Sequence, residues 1–133
     1  MEWRVHSHGA VNERAAQFQE RLIAFALRTA RFLHRLPDDR ESRHIADQLF
    51  RSCTGAAANY RAACRGRSHR DFTAKLGVAH EESDESVFWL IFIKRGDYAS
   101  GDELDDLLDE SREILAILTA SVKTANSHRG RPD

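Results

Sequence analysis

A chain of 133 residues, 41% hydrophobic and 31% charged, has the size and composition of one soluble domain with a core of its own. Its formal charge of −1 gives no global basic excess, and no run reaches the ~18 uninterrupted apolar residues of a membrane span, residues 87–93 being greasy but short. Cys53 and Cys64 would lie about 16 Å apart on one helix, too far to bridge, and with no leader-like start they point to a reducing cytoplasm.

Apolar or small residues recur at Val11, Ala15, Phe18, Leu22, Phe25, Thr29, Phe32 and Leu36, alternating steps of four and three. That is the seam of a helix packed nearly parallel to its neighbours, and Pro37 closes it. A second helix is expected from about residue 42 to 65, with Ile45, Ala46, Leu49, Phe50, Cys53, Ala57 and Tyr60 inward and Gly66 as its stop. Ser68, three residues before Asp71, opens a third, whose stripe is Phe72, Leu76, Ala79, Ser83, Ser86, Leu90 and Ile93; Gly96 ends it. Ser100 to Glu103 reads as a capping box for a fourth, carried by Leu104, Leu108, Ser111, Leu115, Leu118 and Val122. Four helices with short loops predict an all-α, up-down-up-down four-helix bundle over residues 11–125, with flexible segments at 1–10 and 126–133.

Two stretches carry more apolar surface than one bundle can cover. Residues 88–93 and 114–118 are apolar nearly all round the helix, so something else should bury the faces around Trp89, Phe92 and Ile117. A homo-oligomer is the economical answer.

Charge is segregated rather than abundant. Seventeen of the 20 basic residues are arginine, and seven of them, at 40, 43, 51, 61, 65, 67 and 70, face only Glu41 and Asp47 in that stretch. Arg61, Arg65, Arg67 and Arg70 gather at the turn between helices two and three, where guanidinium forks and free amides suit a phosphate. The plainer reading is a solvated charge run that offsets a helix dipole. Arg51 and Asn59 on helix two should face Lys75, Asp84 and Glu85 on helix three in an interhelical polar network, with a ligand role as the alternative. Seven acids between 102 and 113 fit the start of helix four, or the arginines of a neighbouring subunit. Few aromatic residues interleave with the arginines, so stacking of single-stranded bases has weak support.

No catalytic constellation, cofactor loop or paired set of metal ligands is present. Glu41 with His44 is a lone Glu-x-x-His, and His80, Glu81 and Asp84 have no second set to answer them.

The segments Arg51-Ser52-Cys53-Thr54, Ala58 to Ala63, Ser68 with Asp71-Phe72, Lys75-Leu76, Glu81-Glu82, Asp84-Glu85 and Phe88-Trp89-Leu90 resemble the four-helix-bundle family labelled 23S rRNA intervening-sequence protein. The resemblance spans about residues 14–122. That family is similar to the accessory proteins of diversity-generating retroelements, which assist a reverse transcriptase. The resemblance implies a left-handed bundle assembled as a homopentameric ring, with nucleic acid as the usual proposed partner, and the arginine cluster makes a non-enzymatic oligomer that binds RNA or DNA, or assists a nucleic-acid enzyme, the leading expectation. A structural ring that scaffolds a protein partner is the alternative.

Overall fold

The computed structural model describes residues 9–127, with side chains from residue 13 onward. Four helices fill it: α1 (Gly9–Leu33), α2 (Arg40–Cys64), α3 (His69–Arg95) and α4 (Asp102–Ser127). The flexible segments expected at 1–10 and 126–133 fall mostly outside the described residues, although helix continues through 9–10 and 126–127. The side chain of Val11 is likewise outside them.

Each boundary has a local cause. Asp39 caps α2, its Oδ1 accepting the Ser42 amide at 2.8 Å, so this helix begins before the expected Ser42. Ser68 caps α3 as its spacing suggests: its Oγ accepts the Asp71 amide at 3.1 Å, and Asp71 accepts the Arg67 amide at 3.3 Å. Gly66 and Gly96 are needed for room rather than for a left-handed turn. A Cβ on Gly66 would meet the Ala63 carbonyl at 3.0 Å, and one on Gly96 would strike the Tyr98 ring at 2.6 Å. The left-handed residue after α3 is Asp97, at φ 58°. The capping box expected at Ser100 is not formed. Gly101, at φ 111°, precedes α4, the Ser100 carbonyl accepts Arg35 at 3.1 Å, and Glu103 turns instead to Arg28.

Cross-helix pairs give the register. Arg51 meets Glu85 and Ser52 meets Ser86 across α2 and α3. His80 meets Thr119 and Lys94 meets Asp105 across α3 and α4. Arg21 meets Glu110 and Arg28 meets Glu103 across α1 and α4. For the α3–α4 and α1–α4 pairs one number rises as the other falls, so these neighbours are antiparallel; α2 and α3 are joined by a turn of a few residues, which makes them antiparallel as well.

One core joins all four helices, built from Leu22, Phe25 and Phe32, Ile45, Leu49 and Tyr60, Leu76, Leu90 and Ile93, and Leu104, Leu107, Ile114 and Leu118. Small hydroxyls sit near mid-helix within it. Ser52, Ser83, Ser86 and Ser111 are buried, and the Ser52 and Ser86 hydroxyls meet at 2.9 Å, which satisfies both and lets α2 and α3 approach closely. Phe50, expected inward, is 50% exposed. It stands one position off the buried row Leu49, Ser52, Cys53 and Ala56, and small residues fill the inner positions in its place.

Candidate nucleic-acid interface

The turn between α2 and α3 gathers cations because both flanking helix ends are arginine-rich and the connection is only a few residues long. Between residues 61 and 75 five cations stand against one carboxylate, Asp71. Arg61, Arg65, Arg67 and Arg70 are all exposed. Asp71 is shared by Lys75, at 3.0 Å, and the Arg67 amide, and these contacts hold its carboxyl below the ordinary range, the Lys75 hydrogen bond most of all. No described carboxylate lies within ion-pair distance of Arg61, Arg65 or Arg70. The C-terminal end of α4 closes against this turn, with His69 Nε2 3.0 Å from the Ala125 carbonyl.

Several cations of the other helices are spent inside the subunit. Arg21 grips Glu110 with Nε and Nη2 at 2.8 and 2.7 Å and reaches Glu113 at 2.9 Å. Arg28 meets Glu103 at 3.2 Å and Lys94 meets Asp105 at 2.7 Å. The acidic start of α4 is thus neutralised in part by α1 and α3 of the same chain. Sequence reasoning overlooked Arg21 and Arg28, although a signal existed: they stand seven residues apart, as do Glu103 and Glu110, the spacing of two antiparallel helices in register.

The expected interhelical network is brought together only around Arg51. Its Nη2 donates to Glu85 at 2.7 Å, its Nη1 lies 3.5 Å from Glu82, and Trp89 Nε1 donates to Glu85 at 3.3 Å. Glu82 was missed; its carboxylate lies over Gly55, where a Cβ would meet Oε2 at 2.7 Å. Asn59 donates to the Gly55 carbonyl of its own helix, and Lys75 pairs with Asp71 on its own helix. Asp84 is exposed, with no partner among the described residues. The network also lies near the surface rather than in the core: the Arg51 side chain is 54% exposed. Ser83 and Ser86 face inward on α3, and that rotation turns Glu82 and Glu85 toward α2 and Asp84 to solvent.

Of the expected oligomer contacts, Phe92 and Ile117 are exposed, and Trp89 is partly covered by the rings of Phe88, Phe92 and His44. They do not form one face. Trp89 and Phe92 belong to an aromatic group on α3, whereas Ile117 stands on α4. Cys53 and Cys64 are free and buried, and burial pushes the Cys53 thiol up to about 12. Among the described residues no three His, Cys, Asp or Glu side chains converge as metal ligands would, and no helix is long and apolar enough to cross a membrane.

The sequence profile of the family described as 23S rRNA-intervening sequence protein matches residues 14–120. Among solved structures, the chain is similar to a protein of unknown function from the S23 ribosomal protein family of Bacteroides thetaiotaomicron VPI-5482, a crystal structure at 1.70 Å. The two share 27% identity at a TM-score of 0.72, over 80% of this chain and 98% of that one. No curated protein matches the sequence.

Proposed function

The chain belongs to the 23S rRNA-intervening sequence protein family, and from that premise we propose that it is a non-enzymatic, oligomeric bundle that binds the backbone of RNA or DNA. The observation that carries this reading is the set of arginines at the surface of the α2–α3 turn, of which Arg65 and Arg70 have no carboxylate among the described residues to neutralise them. Guanidinium groups facing water exchange it for phosphate oxygens and release condensed counterions, which gives affinity without sequence. Arg65, Arg67 and Arg70 straddle a turn and present no fixed fork to base edges, so direct base readout is not expected.

In this reading the bundle is left-handed and up-down-up-down, and five copies form a ring that repeats the basic turn around its rim. Such a belt would serve a nucleic-acid enzyme such as a reverse transcriptase, in the cytoplasm, by holding its template. The test is a titration of fluorescent single-stranded and duplex probes with the wild type and with the Arg65→Ala, Arg67→Ala, Arg70→Ala triple variant. The wild type should bind both probes and the variant should bind at least tenfold more weakly. Equal, weak binding by both proteins would put the scaffold reading first, with the arginines serving solvent or subunit contacts.

A further inference from the structure

We infer that copies of this chain join through two unlike faces, the outer stripe of α3 seating on the outer stripe of α2 in the partner. The inference rests on the self-associating reading above and says which surfaces meet.

Both stripes follow helical spacing, and every member but the half-buried Thr54 is exposed. On α3 it comprises Glu81, Phe88, Phe92 and Arg95; on α2 it comprises Asp47, Phe50, Thr54 and Arg61. Phe88 and Phe92 are 52% and 42% exposed although their rings lie against each other and Trp89, and Phe50 is as open as Phe88. Leu27 adds a further exposed side chain on α1, the helix packed beside α2. Ile23, Val78 and Ile117 are exposed as well, but Phe50, Phe88 and Phe92 are the aromatic rings among the exposed large apolar groups, and all three stand on these two stripes.

The charges decide the pairing. In an antiparallel arrangement with Phe92 opposite the partner's Phe50, Glu81 lies three helical turns back from Phe92, and the partner's Arg61 lies three turns on from Phe50. The same register sets Arg95, one turn past Phe92, against the partner's Asp47. Phe88 then falls over the partner's Thr54, with the small, exposed Ala58 one turn further along α2. Within the subunit, Glu81, Arg95, Asp47 and Arg61 make no ion pair with any described residue. One register therefore joins aromatic to aromatic, large to small and two pairs of opposite charges. The α3 stripe seated on itself antiparallel would also face Glu81 with Arg95, but that register sets Phe88 against itself and Phe92 against the carboxylate of Asp84, and leaves Phe50 on α2 uncovered. A contact between unlike faces propagates from copy to copy and closes into a ring when the rotation permits.

The experiment is analytical ultracentrifugation of the full chain and its variants, each checked for helix content by circular dichroism. Glu81→Arg and Arg61→Glu should each weaken assembly about tenfold by setting like charges together, and the chain carrying both changes should regain wild-type assembly. Phe92→Lys and Phe50→Lys should each be monomeric alone, and their equimolar mixture should form a one-to-one heterodimer through the remaining intact contact. A double charge variant no better than the singles, or a mixture that stays monomeric, would overturn the pairing. A monomeric wild type would overturn the self-association beneath it, which is a separate outcome.

Discussion

Glu82 and Glu110 each lie mostly covered beside an arginine, yet their acidities move in opposite directions. Two short hydrogen bonds from Arg21 are the main reason Glu110 is held below its ordinary value of 4.5. Glu82 receives only a 3.5 Å approach from Arg51, and burial dominates, raising it. The sign follows by linkage. The unfolded chain protonates Glu110 first, so its contribution is present above pH 4.5 and is lost as pH falls through the folded value; Glu82 runs the other way, its burden at neutral pH relieved by a proton. Glu110→Gln should cost about 1 kcal/mol at pH 7 and progressively less as pH falls below 4.5, and Glu82→Gln should cost nothing at pH 7, as read by urea denaturation. The Arg51 pair is too exposed to support the few kcal/mol that a buried carboxylate would require, so Arg51→Ala should cost under ~1 kcal/mol in the same assay. At the alkaline side, burial raises Cys53 to about 12 and lifts the Tyr60 phenol as well. Neutral in the fold and ionised sooner when unfolded, both groups contribute stability that is complete below about pH 9 and drains away as pH climbs above their unfolded values, because the unfolded chain then gains by ionising them. The urea midpoint should therefore fall between pH 8 and pH 10.5, and a thiol reagent should leave Cys53 untouched until the chain unfolds.

At the scale of the helices, the seams were legible because steps of four and three persist through four segments and Pro37, Ser68 and Gly96 punctuate them. Phe50 was misread because its residue type argues for burial while its angular position, one step off the inner row, argues against it; position won. The helix that faces Arg51 was readable from the turn, but Glu81, Glu82, Asp84 and Glu85 crowd within five positions, and only the rotation of α3 selects among them. Asp39 as a cap was hidden behind Ser42, itself a plausible start. Gly77 marks a place where α3 is weaker than it could be: a Cβ there would meet nothing within 4 Å. Gly77→Ala should raise stability by about 0.5–1 kcal/mol through helix propensity alone, measured as a higher thermal midpoint. An unchanged or lower midpoint would mean that this open surface is needed free of side chains.

Across the whole molecule, charge is sorted by position. Acids at the start of α4 are met by Arg21, Arg28 and Lys94, while at the α2–α3 turn, at the other end of the bundle, Arg65 and Arg70 have no ion pair among the described residues. The cluster itself was visible in the sequence; the scarcity of carboxylates around it was not, because that depends on which acids the packing brings near. Whether those arginines neutralise phosphate is the central question. The most direct measurement is the slope of log affinity against log salt for one duplex probe, compared between the wild type and the Arg65→Ala, Arg67→Ala, Arg70→Ala variant. Backbone binding predicts a steep negative slope for the wild type and a slope shallower by about 0.9 for each phosphate that the variant no longer neutralises. Two parallel lines would contradict it.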